Sequence, residues 1–310
     1  MKKVILLGTF LGILSGCFGH RVGPADDLKI EKTPERIKRG EYLFNNVASC
    51  LDCHSKHDYS KFASPVIEGT DGMGGVLFGK EEGLPGDIYS SNITPSALGT
   101  WTDGEIVRAI TAGVSKDNTP LFPLMPYHYF GKMDKEDIFS IVSYIRTLKP
   151  IKNEIPKRTL DFPLNIIVNS MPQNPEFSKI PDKNDNVNYG KYLVNTASCI
   201  VCHTKTDKGQ PIKGLEFSGG EKFKLKGLGT VISANITPDK ETGIGEWSKD
   251  TFIKKFKSYN PYNIKKGDIQ TVMPWYQFKN MTESDLGSIY DYLRTIPSIK
   301  NNTDKRFIEE

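Results

Sequence analysis

Residues Ser49 to His54 read SCLDCH. Two cysteines separated by two residues, with a histidine directly behind them, fit half of a zinc site, a redox-active dithiol, a structural disulfide or a thioether attachment point for haem. Only the last gives the histidine a role at that place, because two cysteines bonded to the porphyrin edge bring the next side chain under the iron. The pattern returns at Ser198 to His203, SCIVCH, so Cys199, Cys202 and His203 repeat Cys50, Cys53 and His54 at an offset of 149 residues. The expectation is two covalently bound haem c groups, attached at Cys50 and Cys53 and at Cys199 and Cys202, with His54 and His203 as iron ligands.

The repeat extends well beyond the cysteines, as it does in a duplicated domain. GEYLFNNVASCLDCH from Gly40 answers GKYLVNTASCIVCH from Gly190, with one residue fewer in the second copy. SNITP at Ser91 answers ANITP at Ala234, LMPYHYF at Leu124 answers VMPWYQF at Val272, and SYIRTLKP at Ser143 answers DYLRTIPS at Asp291.

Helix signals fall around these landmarks. Thr33 followed by Pro34 reads as an N-cap and first helical residue of a helix that runs into Cys50. Thr102 with Glu105 forms a capping box after Trp101, and Ser248 opens the matching segment after Trp247. Ile138, Ile141, Ile145 and Leu148 after Asp134, and Leu286, Ile289, Leu293 and Ile296 after Thr282, carry the helical period, with Pro150 and Pro297 as stops. The glycine-rich stretches between each haem motif and its tryptophan read as loops or a small hairpin. Residues 151–186 are proline-rich and without sustained periodicity, which reads as a connector, parts of which pack on the domains.

If histidines hold one face of each iron, the other face sets the chemistry: a thioether ligand raises the potential, and an open face admits substrate. The second half contains no other histidine, whereas each half carries one Met-Pro pair, Met125 and Met273, 71 and 70 residues after its proximal histidine. These are the expected distal ligands. Met133 and Met281 are weaker candidates beside the last helix, Met171 has no partner in the other half, His128 is the main rival at the first iron, and His57 is too close in sequence to His54 to reach the opposite face.

The 310-residue chain has ordinary charged and apolar fractions for a soluble protein of about two domains. Its N-terminus differs: Lys2 and Lys3 precede the apolar run VILLGTFLGIL, long enough for the core of an export signal and short for a membrane span. The run ends in LSGC, which resembles a bacterial lipobox and marks Cys17 for lipidation at the mature N-terminus. The other four cysteines are used by the two haem motifs. Removing the signal leaves 39 basic against 37 acidic residues, and haem propionates offset the remainder, so nothing in the charge points to nucleic acid. Lys254, Lys255, Lys257, Lys265 and Lys266 read either as a solvated face or as a docking patch for an acidic partner.

Together these motifs resemble class I cytochrome c domains, and in particular the multihaem cytochrome c subunits of membrane-associated bacterial dehydrogenases acting on alcohols, aldehydes, gluconate or nicotinate. The resemblance implies a mainly α fold of two tandem class I cytochrome c domains, each with a loop or hairpin insertion. It divides the chain into a signal peptide (1–16), a tether (17–32), domain 1 (33–150), the connector (151–186), domain 2 (187–300) and a tail (301–310). It further implies that the first and last helices of each domain cross at Gly40 with Tyr144 and at Gly190 with Tyr292. Asn92, Asn235, Trp101 and Trp247 lie near haem edges or propionates on this view, or serve as loop and core residues. The expected function is electron transfer from a dehydrogenase to a cytochrome or oxidase acceptor, on the periplasmic side of a bacterial membrane, with no catalysis by the chain itself. The alternative is a dihaem peroxidase, which needs one iron with a displaceable distal position. The best-known relatives carry three haems where this chain has two motifs.

Overall fold

The computed structural model describes residues 20–225, 228–265, 267–303 and 306–308. The segment expected to be an export signal, with Cys17, lies outside these residues.

In the first half, α1 (Pro34–Tyr42) continues into a π-helical turn at Leu43–Val47. It is succeeded by α2 (Cys50–His54), strands β1 (Leu77–Phe78) and β2 (Gly86–Tyr89), and helices α3 (Pro95–Leu98), α4 (Asp103–Ala112), α5 (Tyr127–Phe130) and α6 (Lys135–Ile145). Next come β3 (Thr159–Leu160) and α7 (Leu164–Ile167). The second half repeats the order with α8 (Asn186–Thr196), α9 (Cys199–His203), β4 (Thr206–Asp207), β5 (Gln210–Pro211), β6 (Lys222–Leu225), β7 (Gly229–Ile232), α10 (Lys249–Lys257), α11 (Trp275–Phe278), α12 (Glu283–Leu293) and β8 (Phe307–Ile308). The chain is therefore helical with some sheet, in three small antiparallel sheets ordered β1-β2-β3, β4-β5 and β6-β7-β8.

The caps expected from sequence are in place. Side chains of Thr33, Thr102, Asp134, Ser248 and Thr282 each accept a hydrogen bond from a first-turn amide, satisfying donors that a helix start leaves free. The expectation that the first helix runs into Cys50 is corrected: it stops short, and Ser49 adopts a left-handed conformation with φ 49° before α2 begins. Ser198 does the same before α9, with φ 52°. The π turn explains the extra residue in the first copy. A π turn accommodates a one-residue insertion in a helix, so Cys50 and Cys199 reach matching places although ten and nine residues separate them from Gly40 and Gly190.

Each half is pinned by a helix crossing. A Cβ added at Gly40 would lie 1.8 Å from the Ser140 carbonyl oxygen, and one at Gly190 would lie 1.9 Å from that of Ser288, with Cβ of Tyr144 and of Tyr292 each 3.0 Å away. Only glycine lets α1 approach α6, and α8 approach α12, this closely. The apolar faces of both pairs belong to one continuous cluster that includes Leu43, Phe44, Ile138, Ile141, Leu193, Leu286 and Ile289.

The helices α6 and α12 end at Ile145 and Leu293, ahead of Pro150 and Pro297. The C-cap residues Arg146 and Arg294 keep a helical backbone, and their side chains donate to the carbonyls of Leu98 and Trp101 and of Gly245. Parts of the segments beyond these helices pack on the domains. Ile151 and Ile299 each exchange bonds with Thr94 and Thr237, and β3 and β8 then add a third strand to the hairpin of their own half. The N-terminal segment also packs: Ile30 is buried, its amide bonds Asp103 Oδ2, and a Cβ at Gly104 would meet the Asp26 carbonyl oxygen at 1.9 Å.

The halves meet through a reciprocal clasp. The Tyr42 hydroxyl donates to Asp285 Oδ2 at 2.6 Å and accepts from the Thr282 amide, and the Tyr192 hydroxyl donates to Asp137 Oδ2 at 2.6 Å and accepts from the Asp134 amide. Burial and the adjacent aspartate push both phenols up, which keeps them protonated as donors. α5 packs on α8, and α11 packs on the π turn, in the same reciprocal way. The clasp is not symmetric in charge: Asp137 is also held by a two-pronged contact from Arg39, at 2.8 and 2.7 Å, whereas the place matching Arg39 is taken by Tyr189. Tyr42→Phe is thus expected to cost more than Tyr192→Phe, about 2 against about 1 kcal/mol, since it removes the side-chain donor from the almost fully buried Asp285. Denaturant unfolding of the two variants checks this, and equal losses contradict it.

Candidate functional site

A five-residue helix with cysteines at its first and fourth positions and histidine at its fifth puts all three side chains on one side, since i, i+3 and i+4 share a helix face. This holds for Cys50, Cys53 and His54 in α2 and for Cys199, Cys202 and His203 in α9. All four cysteines are unpaired. Burial pushes the thiols up, to about 12 for Cys50, Cys199 and Cys202 and further for Cys53. A redox dithiol would instead hold a thiolate of lowered pKa. No group of three His, Cys, Asp or Glu side chains that could hold a metal ion occurs among the described residues.

Each histidine is oriented from behind. His54 Nδ1 lies 2.7 Å from the Ser91 carbonyl oxygen, and His203 Nδ1 lies 2.7 Å from that of Ala234. A carbonyl only accepts, so Nδ1 carries the proton and Nε2 keeps its lone pair for a metal. Burial lowers both imidazoles, favouring the neutral, ligating form.

The loops that supply these carbonyls are built alike. The amides of Gly74 and Gly219 bond the carbonyls of His54 and His203 at 2.9 and 2.7 Å. Both glycines have positive φ, 66° and 71°, and a Cβ there would meet the Ser91 or Ala234 carbonyl carbon at 2.4 Å. Asn92 and Asn235 are loop residues. Their side-chain oxygens accept from the amide and hydroxyl of Thr94 and Thr237, and their amide groups donate to the carbonyls of Ile151 and Ile299. Asn153 and Asn301 close the same knot by bonding the carbonyls of Met73 and Gly74 and of Ser218 and Gly219. Sequence reading missed Gly74, Gly219, Asn153 and Asn301; their signal was a Gly-Gly pair in each copy and an asparagine seven residues after Arg146 and after Arg294.

Met125 and Met273 occupy equivalent turns, with the amides of Tyr127 and Trp275 bonded to the methionine carbonyls at 2.8 Å in both. Both side chains are half-buried at the edge of the core, while Met133 and Met281 are fully buried within it. The His128 ring lies 4.3 Å from that of Tyr127, tilted by 53°, and borders a recess with Gln173 to Glu176 of the connector. His57 is consumed locally, with its ring nitrogens 2.6 and 2.7 Å from the carbonyl oxygens of Ser64 and Asp52. In the lysine group, Lys254 pairs with Asp250, and Lys257 bonds the carbonyls of Lys279 and Met281. Lys266 lies outside the described residues.

The two motifs are near one another. The charge of Asp52 acts on the thiols of both Cys53 and Cys202, and Cys202 acts on Cys53, so α2 and α9 lie within Coulomb range across the boundary between the halves.

These features are shared with known proteins. The cytochrome c family matches residues 187–297. The second half is a cytochrome c domain. Over 96% of its length the chain is 27% identical to the cytochrome c subunit of a quinone alcohol dehydrogenase from Gluconacetobacter polyoxogenes, covering 62% of that protein. It is 27% identical over 90% of its length to the fructose dehydrogenase cytochrome subunit of Gluconobacter japonicus, covering 56% of it. A dihaem cytochrome c-type protein of Cereibacter sphaeroides is 24% identical over 97% of this chain and all of its own length. The chain spans about three-fifths of the dehydrogenase subunits that it resembles. The family match spans Cys199, Cys202 and His203 of the second half.

Proposed function

We propose that this chain is a lipid-anchored dihaem cytochrome c that carries electrons from a membrane-associated dehydrogenase to a respiratory acceptor, a cytochrome or an oxidase. It has two tandem class I domains, at 33–150 and 187–300. The observation that carries this reading is the duplicated site, in which one Cys-x-x-Cys-His helix in each half has its histidine aimed by the same backbone carbonyl. Haem c held at each site supplies a one-electron iron couple at a potential set by its surroundings.

The chain's own residues then have defined tasks. Cys50, Cys53, Cys199 and Cys202 form the thioether links, which keep the cofactor in an exported protein. His54 and His203 ligate through Nε2, and the knots built on Asn92 and Asn235 prevent ring rotation. Met125 and Met273 supply the distal thioethers. The tyrosine–aspartate clasp fixes the separation of α2 and α9, so the two sites keep one geometry through each redox cycle. The donor dehydrogenase, the acceptor, a periplasmic location and lipidation at Cys17 belong to the proposal. Among the described residues no helix is long and apolar enough to cross a membrane.

Electron paramagnetic resonance of the ferric protein, with a redox titration in the presence and absence of peroxide, tests the assignment. Two low-spin methionine-ligated irons that ignore peroxide are expected. A high-spin, peroxide-reactive iron overturns it in favour of a peroxidase, a reading that the near-equivalence of the two sites disfavours. Met125→Ala and Met273→Ala are each expected to open one iron and lower its potential while leaving the haem attached. Unchanged spectra in both variants contradict the distal assignments.

A further inference from the structure

The stretch that leads to Met273 leaves its own half. Fifteen residues, 258–272, separate α10 from Met273, against twelve, 113–124, between α4 and Met125. The shorter stretch closes on the first half: Val114 bridges Pro120, the Leu121 amide bonds the Gly113 carbonyl, and Arg158 donates to the Pro120 carbonyl. The longer one crosses to the loop that follows His54. The Tyr259 hydroxyl donates to the Phe62 carbonyl, the Phe62 amide to that of Tyr262 and the Ile264 amide to that of Ser60, each at 2.9 Å. Lys61 bridges Asn263, and the Phe62 and Tyr262 rings stack at 5.2 Å, 10° from parallel.

Gln270 locks this crossing. We propose that it is a positioning residue for the second haem, holding the turn that carries Met273 against the loop that follows the proximal histidine of the first. The proposal rests on Met273 as the distal ligand of that haem. Gln270 is 1% exposed, and its side-chain amide is fully used. Oε1 accepts from the amides of Ala63 at 2.7 Å and Thr271 at 3.0 Å, and Nε2 donates to the Lys61 carbonyl at 3.0 Å and to Ser64 Oγ at 3.4 Å. Two backbone N–H groups at the oxygen fix which way the amide points. Ala63 and Ser64 have positive φ, 57° and 41°, which residues other than glycine keep only where their surroundings impose it. The buried bonds from Gln270 do so here.

The hold reaches both sites through short steps. Toward the second, the Thr271 amide is fixed on Gln270 Oε1, and Thr271 Oγ1 accepts from the Met273 amide at 3.1 Å. Toward the first, the Ser64 carbonyl oxygen lies 2.6 Å from His57 Nδ1, and His57 Nε2 lies 2.7 Å from the carbonyl oxygen of Asp52, between Cys50 and Cys53. The turns at Met125 and Met273 are alike, but the first is tied within its own half and the second across the boundary. A thioether ligand raises the potential of its iron. Slack in the Met273 turn weakens that bond, so the potential of the second haem depends on how the halves are joined.

The test uses the full-length, haem-loaded protein, with redox titration and the methionine-to-iron absorption as readouts. Gln270→Ala is expected to lower the potential of one haem and weaken its methionine-to-iron absorption, leaving the other haem unchanged. Double variants identify that haem: added to Met273→Ala, the Gln270 change has no further effect on either potential, and added to Met125→Ala it keeps its full effect. Thr271→Val leaves the contacts of Gln270 with the first half in place, and is expected to shift the same haem in the same direction by less. A lowered melting temperature with both potentials unchanged, or an equal shift of both haems, overturns the positioning role. So does an effect of Gln270→Ala that persists in full on Met273→Ala. Met273→Ala without a spectral change overturns the ligand assignment and the proposal with it, a failure visible without altering Gln270.

Discussion

Changing Cys199 and Cys202 together to serine is expected to halve the covalently bound haem, leaving one haem per chain at Cys50 and Cys53, and to lower the thermal stability of the second half far more than that of the first. The four cysteines of the two motifs are unpaired, and desolvation raises the pKa of each. Serine keeps the shape of α9 but cannot form a thioether. His203 stays aimed by the Ala234 carbonyl, yet its bond to iron alone must then hold the cofactor. Haem quantified after acid extraction, which removes only non-covalent haem, checks the stoichiometry. Two covalent haems in this variant would place the second attachment elsewhere in the chain and end the reading of α9 as a haem site.

The same variant separates the halves energetically. One apolar cluster runs through both, and α5 packs on α8 while α11 packs on the π turn. Loosening α8 and α9 therefore weakens the support of the first half, and the iron held by His54 should shift in potential although none of its ligands has changed. Redox titration of the remaining haem measures that coupling.

The repeated motifs of this chain were legible because they are written twice. Cys-x-x-Cys-His and Met-Pro recur in register, and the caps at Thr33, Thr102, Asp134, Ser248 and Thr282 are local signals that need no tertiary context. The features that the sequence concealed depend on contacts between distant segments. The single extra residue of the first copy was visible, but its absorption in a π turn required knowing that Cys50 must reach the same place as Cys199. Residues 151–160 and 299–308 have no helical period and little hydrophobic pattern, because they are held by Asn92, Thr94, Asn235 and Thr237 and by pairing with β2 and β7. A two-residue strand leaves almost no trace in sequence. Asn92 and Asn235 tie the chain after the last helix to the loop that aims the proximal histidine.

Gly190→Ala is expected to destabilise the protein by about 3 kcal/mol or more, with loss of the methionine-ligated signal of the second haem before global unfolding. The added methyl would sit 1.9 Å from the Ser288 carbonyl oxygen and 2.5 Å from its carbon, both backbone atoms in the middle of α12. No rotamer change relieves a clash with backbone, so α8 must move off α12, and overpacking of this kind costs at least the roughly 1–3 kcal/mol typical of an inserted methylene. The shift does not stay local. α8 leads through Ser198 into α9, and α12 carries Asp285, the acceptor of the Tyr42 clasp. Separating the helices would displace His203 relative to Met273 and loosen the boundary between the halves together. Gly40→Ala meets the equivalent obstacle, at 1.8 Å from the Ser140 carbonyl oxygen. In the first half, however, Arg39 still ties α1 to Asp137 on α6 through two bonds, a brace whose counterpart position is Tyr189. The alanine at 190 is therefore expected to be the more damaging of the two. Chemical denaturation of both variants, monitored at the methionine-to-iron absorption band, tests this order, and an unchanged midpoint in either would mean that the helices do not cross at glycine.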